Sequence, residues 1–303
     1  MSWDRVERLI GSANLARLAE KRVAVIGLGS GGGFVALTLA MSGVGKFVLI
    51  DDDTLDENNV VRHVADRRYV GQPKVEVVAD LIRQRNPNAE VQTHVGRIEQ
   101  HTDALDGVDL IVVGVDGENP KYAINQAALD KNLIAVYAGV YERGEGGDVT
   151  VIRPYDGPCY ACWAAELRDE LASVKNFGER ELDYGMIGES GTLEAEPGLW
   201  LHVTRVAGTQ ADMTLNELLQ GSEIYKQMPG NTVILANAAL EIIDGQMSPP
   251  YTAVWVTIER DPDCLICGDT FRRQEALSED EMMSLDELMQ LDDEKEQNRD
   301  GRA

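Results

Sequence analysis

An apolar run, Arg22-Val-Ala-Val-Ile26, leads into the glycine-rich turn Gly27-Leu-Gly29-Ser-Gly31-Gly32-Gly33, and a second run, Lys46-Phe-Val-Leu-Ile50, leads into Asp51. Short runs without polar alternation read as strands buried on both faces, the habit of parallel sheets. Residues 31–41 between them have helix-length apolar patterning. Residues 22–51 therefore predict one βαβ unit with a right-handed crossover.

The alternation continues. Residues 74–85 are patterned as a helix, 109–113 as a strand, 119–131 as a helix and 133–138 as a strand. The expected fold class is α/β, a doubly wound, Rossmann-like and mostly parallel sheet. Past Tyr141 the texture changes to a glycine-rich stretch at 144–147, a strand at 149–153 and a cysteine pair. Residues 199–219 read as a helix with Trp200, Val203, Val206 and Met213 among its apolar positions, and 252–258 alternates like a strand. Residues 166–197 give no assignment. From Leu277 onward acids dominate, with Met282, Leu285, Leu288 and Met289 at helical spacing. That pattern suits a docking helix, but the composition favours a solvated, frayed tail.

Fifty-two acidic residues against 28 basic ones leave a net charge of -24, which repels an extended phosphate backbone and disfavours nucleic acid as a partner. No run approaches the roughly 18 apolar residues of a spanning helix, and residues 1–22 are too polar for a secretory leader. The expectation is a cytoplasmic protein with no membrane partner.

Glycines let the backbone approach phosphate oxygens, and the helix amino terminus favours their charge. Asp51, ending the second strand, suits the ribose hydroxyls. These features fit nicotinamide or flavin as well as ATP; the cations downstream separate them. Displacing pyrophosphate requires fixed positive charge around the leaving group, which hydride transfer does not. Arg62 and Lys74 are the candidates. Each in isolation reads equally as a structural residue, Lys74 starting a helix on the surface and Arg62 pairing with a nearby acid. Asp116, just past a strand, falls at the carboxyl edge of the sheet, where ligands bind and a Mg2+ carboxylate belongs.

All four cysteines form two C-x-x-C pairs, Cys159 with Cys162 and Cys264 with Cys267. In a reducing compartment such pairs indicate metal over disulfide, and four thiolates suit a closed tetrahedral Zn2+ site. The zinc would staple the C-terminal portion to the rest of the fold. A redox role competes, but neither pair is expected to open a helix after a strand in thioredoxin fashion. If all four ligate zinc, no thiol remains for a thioester. His63, His94, His101 and His202 are too scattered for a second metal centre, and none is assigned catalysis.

From Arg5 to about Gly268 the motif order resembles the ThiF/MoeB/HesA superfamily, the bacterial relatives of ubiquitin-activating enzymes. The resemblance implies that Gly27, Gly29 and Gly32 hold phosphates and Asp51 the ribose. It implies that Asn59, Arg62 and Lys74, matching an N-x-x-R-Q motif and a downstream lysine, contact phosphates. Asp116 matches a magnesium-linked aspartate. Arg5 matches an amino-terminal arginine that reaches the partner protomer's ATP, which implies a homodimer. Three positions depart from the pattern: His63 stands for glutamine, Gly117 for asparagine, and Arg8 competes with Arg5. Pro158, the Asp261-Pro-Asp segment and Gly268 resemble the family's zinc knuckles. Many relatives carry a further cysteine in the crossover, whereas residues 164–263 contain none.

The implied domains are an adenylation domain at 1–272, containing the four-cysteine zinc site, and an acidic tail at 273–303. The implied chemistry is attack of a carboxylate on the α-phosphate of ATP, giving an acyl-adenylate and pyrophosphate. No general base is needed, because the carboxylate is already ionised; positioning and charge neutralisation carry the rate. The first candidate substrate is the C-terminal glycine of a ubiquitin-like or sulfur-carrier protein, the second a peptide, as in microcin-type maturation. Cyclisation of threonylcarbamoyladenosine in tRNA ranks below these because of the acidic charge. A silent partner subunit is opposed by Arg62, Lys74 and Asp116 together. From outside the family, an NAD-dependent oxidoreductase is the rival.

Overall fold

The computed structural model describes residues 2–174, 186–187, 193–194, 198–243 and 245–269. The acidic segment from Leu277 and most of 166–197 lie outside them. The chain divides into two units, Met1–Arg260 and Asp261–Ala303.

The first unit opens with α1 (Asp4–Ile10) and α2 (Ser12–Glu20). The expected βαβ unit follows as β1 (Arg22–Ile26), α3 (Gly32–Met41) and β2 (Lys46–Asp51). Next come α4 (Lys74–Arg85), β3 (Glu90–Val95), β4 (Leu110–Val113), α5 (Glu118–Lys131) and β5 (Ile134–Val140). After β6 (Gly146–Ile152) come α6 (Tyr160–Val174), the short pair β7 (Met186–Ile187) and β8 (Leu193–Glu194), and α7 (Trp200–Leu218). The unit closes with β9 (Thr232–Ala236), the ribbon β10 (Leu240–Ile243) and β11 (Gln246–Ser248), and β12 (Ala253–Val256).

Eight strands form one sheet in the order β12-β9-β6-β5-β4-β1-β2-β3. The five from β5 to β3 run parallel; of these, β1, β2, β4 and β5 are the strands the sequence predicts, and β3 is one it does not. β6, β9 and β12 extend the sheet antiparallel, so the glycine-rich stretch at 144–147 is half turn and half strand.

Successive residues of each central strand enter opposite cores, which is why the strands are apolar without alternation. Val23, Val25, Val112, Val136 and Val149 meet α3, α4 and α7 on one face. Ala24, Ile26, Ile111, Val113 and Tyr137 meet α5 and α6 on the other. Strand β1 pairs with β2 on one side and β4 on the other. The chain order reverses there, and the carboxyl ends of β1 and β4 flank the crevice where open α/β sheets bind ligands. Among the described residues, no helix is long and apolar enough to cross a membrane.

The second unit is described over residues 261–269, a tight double turn. The Gly268 amide donates to the Cys264 carbonyl at 2.8 Å, and the Asp269 amide to Pro262 at 2.9 Å.

Candidate active site

The glycine turn begins at the end of β1. Gly27 has φ +86°, and its amide donates to the Ile50 carbonyl at 2.9 Å. A Cβ on Gly32 would lie 1.9 Å from the Gly27 carbonyl oxygen, so the start of α3 must be glycine to pass so close. Gly29 differs: nothing lies within 4 Å of where its Cβ would be. Helix α3 starts without a side-chain cap, which leaves first-turn amides for another acceptor.

Asp51 closes this turn from the neighbouring strand. One carboxylate oxygen accepts from the Leu28 amide at 2.5 Å, the other from the Asp53 amide at 2.8 Å. Burial raises the Asp51 carboxyl above the usual range, and these two amides and Lys74 oppose the rise. Each oxygen keeps a lone pair beyond its backbone donor.

Lys74 is the first residue of α4 and is buried. Its ammonium lies 2.6 Å from Asp53 Oδ2, and its amide donates to the Asp53 carbonyl at 2.9 Å. The surface reading of Lys74 is thereby corrected: helix packing buries its stem, and the head emerges beside Asp51 and Asp53.

Asn59 and Arg62 sit on the intervening loop. Asn59 exchanges hydrogen bonds with Asp56, its amide to the Asp56 carboxylate at 3.0 Å and the Asp56 amide to its side-chain oxygen at 3.1 Å. Arg62 ends a single 3-10 turn and is exposed. It makes no ion pair among the described residues, so its reading as the partner of a nearby acid is not supported. Asp116 is exposed between β4 and α5, two residues beyond Gly114, whose backbone packs against Gly27 and Gly32. It too has no ion pair among the described residues. Arg5 is exposed on α1, whereas Arg8 is held by Asp4. No interaction among the described residues joins Arg5 to the Asp51 group.

Sequence alone gives His63 no role, yet it is buried against the turn. Its Nδ1 lies 3.1 Å from the Ala65 amide, which can only donate. The ring proton therefore sits on Nε2 and is donated to the Leu28 carbonyl at 2.8 Å. Burial depresses its pKa, with the Lys74 charge acting the same way, while the bond to Leu28 opposes them. A second residue that sequence does not reveal, Trp200 of α7, donates its indole N–H to the Ser30 carbonyl at 3.2 Å. His63 shows in sequence only as a departure from the N-x-x-R-Q motif and Trp200 only as an apolar helix residue; each is given its contact by a partner 35 or 170 positions away.

Cys159, Cys162, Cys264 and Cys267 make up a set of four thiols that could hold a metal ion. Cys159 Sγ and Cys162 Sγ are 3.8 Å apart, the edge expected of a tetrahedron with Zn–S bonds of about 2.3 Å. The Ile266 amide points at Cys264 Sγ at 3.5 Å, a contact that supports a thiolate. This donor set fits zinc. One expectation needs correction: the first pair does open a helix, because α6 begins at Tyr160. Two coincident C-x-x-C pairs that use every cysteine, and not helix context, are what favour metal over redox exchange.

Over residues 4–265 the sequence matches the ThiF family. Ubiquitin-like modifier-activating enzyme 5 of Caenorhabditis briggsae is 30% identical over 179 residues, 55% of this chain and 40% of that protein. The SAMP-activating enzyme E1 of Haloferax volcanii is 31% identical over 156 residues, 50% of this chain and 57% of that protein. The chain thus spans about half the length of these relatives. Among solved structures, E. coli MccB superposes with a TM-score of 0.62 at 18% identity, covering 84% of this chain and 67% of that one. PaaA superposes at 0.58 and 20% identity, covering 85% and 73%. At such identities the likeness is one of fold. The match across most of its length makes this chain a member of the ThiF family.

Proposed function

We propose that the chain is an ATP-dependent adenylyltransferase that converts a carboxylate into an acyl-adenylate. The observation that carries this reading is the ammonium of the buried Lys74, held beside Asp51 and Asp53 at the rim of a glycine turn. A hydride-transfer site has no use for a fixed cation there, whereas a leaving pyrophosphate does. The open space at Gly29 and the uncapped start of α3 supply room and donors for phosphates.

In this reading Gly27, Gly29 and Gly32 shape the phosphate cradle, Asp51 accepts from the ribose hydroxyls, and Asn59, Arg62 and Lys74 face the phosphates. The substrate carboxylate attacks the α-phosphorus, the bond to the bridging oxygen breaks, and pyrophosphate leaves. Asp116 would hold Mg2+, which when bound neutralises phosphate charge. Its exposure without a protein counter-charge fits an ion that takes one carboxylate and completes its shell with water and phosphate. The four cysteines would hold one structural Zn2+, leaving no thiol for a thioester.

The favoured substrate is the C-terminal glycine of a ubiquitin-like or sulfur-carrier protein, consistent with relatives named as activating enzymes for ubiquitin-like modifiers and SAMP. A second reading keeps the chemistry and takes a peptide; its support is the likeness to MccB, a microcin C7 biosynthetic enzyme crystallised with MccA and with ATP. The homodimer in which Arg5 serves the other copy draws support from α1, which buries none of its residues within one chain.

ATP–pyrophosphate exchange, screened against carrier proteins and peptides with free C-termini, tests the proposal. Exchange that needs both Mg2+ and one of these carboxylates is the expected result. Binding of NAD with no response to ATP and Mg2+ would overturn it.

A further inference from the structure

We propose that Tyr160 is a positioning residue for the Asp116 turn, linking the first cysteine pair to the nucleotide site. The inference rests on the reading of Asp116 as the magnesium carboxylate. Tyr160 follows Cys159 directly and is 1% exposed. Its hydroxyl donates to Glu118 Oε2 at 3.1 Å. Glu118 is the first residue of α5 and lies two positions beyond Asp116. The Tyr160 amide donates to Asn125 Oδ1 at 2.9 Å, and Asn125, farther along α5, is fully buried. One residue thus grips α5 at its start and in its middle.

The ring itself cannot swing. It stacks on Tyr137 at 4.6 Å between centroids and on Trp163 at 5.4 Å, and meets Tyr122 edge-on at 5.4 Å. The Lys121 ammonium lies 5.9 Å from its centroid and 4.0 Å from Glu118 Oε1. A rigid hydroxyl bonded to a carboxylate is a charge-assisted contact, stronger than a neutral one. Val115 of the turn 114–117 packs against the apolar cluster to which α6 contributes Trp163 and Ala164; Tyr160 adds a directional polar tie through Glu118. The cysteine pair fixes where Tyr160 starts, so order at the thiolates passes to the carboxylate that meets magnesium.

Tyr160→Phe in the full chain keeps the stacking and removes the hydroxyl. Two readouts decide the matter. Amide hydrogen exchange across residues 114–121, measured without nucleotide, should quicken about tenfold, the ratio a hydrogen bond to a charged group sustains. The Mg2+ concentration that half-saturates ATP binding should rise several-fold, while zinc content stays at the wild-type level. Glu118→Gln, whose amide oxygen still accepts from Tyr160 but without the charge, should raise the magnesium requirement less than Tyr160→Phe does. Unchanged exchange in Tyr160→Phe would overturn the proposal. So would a raised magnesium requirement in Glu118→Gln alone, because Glu118 would then touch the ion itself. Failure of the wild-type chain to bind ATP would defeat the functional reading, whereas the exchange readout tests the positioning independently of nucleotide.

Discussion

The Lys74 ammonium lies 2.6 Å from Asp53 Oδ2, although the lysine side chain is 9% exposed and the aspartate 65% exposed. The pair straddles the border between core and solvent. Asp53 also donates its amide to Asp51, so the ammonium, the partner carboxylate and the proposed ribose acceptor move as one unit.

Lys74→Ala should therefore separate catalysis from folding. Removing the ammonium leaves Asp53 able to hydrate and Asp51 held by its two backbone donors, and the cost in stability should be about 1–2 kcal/mol. Loss of a fixed cation at the leaving group should lower ATP–pyrophosphate exchange by about 100-fold or more. Thermal melts beside exchange rates check both; normal turnover in this variant would remove the lysine from the mechanism.

His63 offers a test by substitution in the family's own direction. Its Nε2–H holds the Leu28 carbonyl and its Nδ1 accepts from Ala65. Glutamine can supply both a donor and an acceptor, so His63→Gln should bind ATP within about threefold of wild type. His63→Leu leaves a buried carbonyl and a buried amide without partners, at about 1–3 kcal/mol each, and should weaken ATP binding about tenfold. Equal affinity for all three proteins would show that the clamp does not shape the phosphate turn.

The parts of the fold that are legible in sequence are those whose environment is uniform along the element. Strands β1, β2, β4 and β5 are buried on both faces and read as apolar runs; α4, with Val75, Val78 and Ile82 facing the core, is bounded to the residue by its pattern. Edge strand β12 alternates and can be read, whereas β3, the opposite edge with the sequence EVQTHV, exposes too many polar groups to show a period. Strand β9 escapes a sequence reading because a five-residue apolar run is indistinguishable from a buried helical piece without flanking punctuation. At the site, glycines and cysteines can be read because their spacing is local. His63, Trp200 and Tyr160 cannot, since what defines each is a distant backbone or carboxylate partner.

Asp148 of β6 carries a pH prediction. Its carboxyl is fully enclosed, and burial pushes its pKa up to about 7, against the Lys121 charge and the Tyr141 hydroxyl, with Glu118 adding to the rise. An acid whose folded pKa is raised binds its proton more tightly when folded. Its stabilising contribution is complete below about pH 4, the unfolded carboxyl's range, and is lost as pH rises through about 7. Between those limits stability should fall by up to about 1.4 kcal/mol per pH unit from this group. Asp148→Asn cannot ionise, so the difference in Tm between about pH 5.5 and about pH 8 should shrink relative to wild type. An unchanged difference would mean that Asp148 does not titrate in that window.

The four cysteines make the remaining prediction, and its two halves depend on each other. Cys159 Sγ and Cys162 Sγ, buried and 3.8 Å apart, cannot both remain thiolates without a cation, since like charges at that separation repel strongly in a dry site. They are either metal-bound or protonated. Metal-bound thiolates react slowly with disulfide reagents and release their ion only when the site opens. Purified protein should accordingly hold one zinc per chain by elemental analysis and show no titratable thiol until chelator is added. Chelation should then release four thiols and lower the Tm, because metal affinity in such sites is folding free energy. Two thiols reactive in the native, zinc-containing protein would break the count on which the absence of a thioester rests, since a free sulfur would again be available to take the activated acyl group.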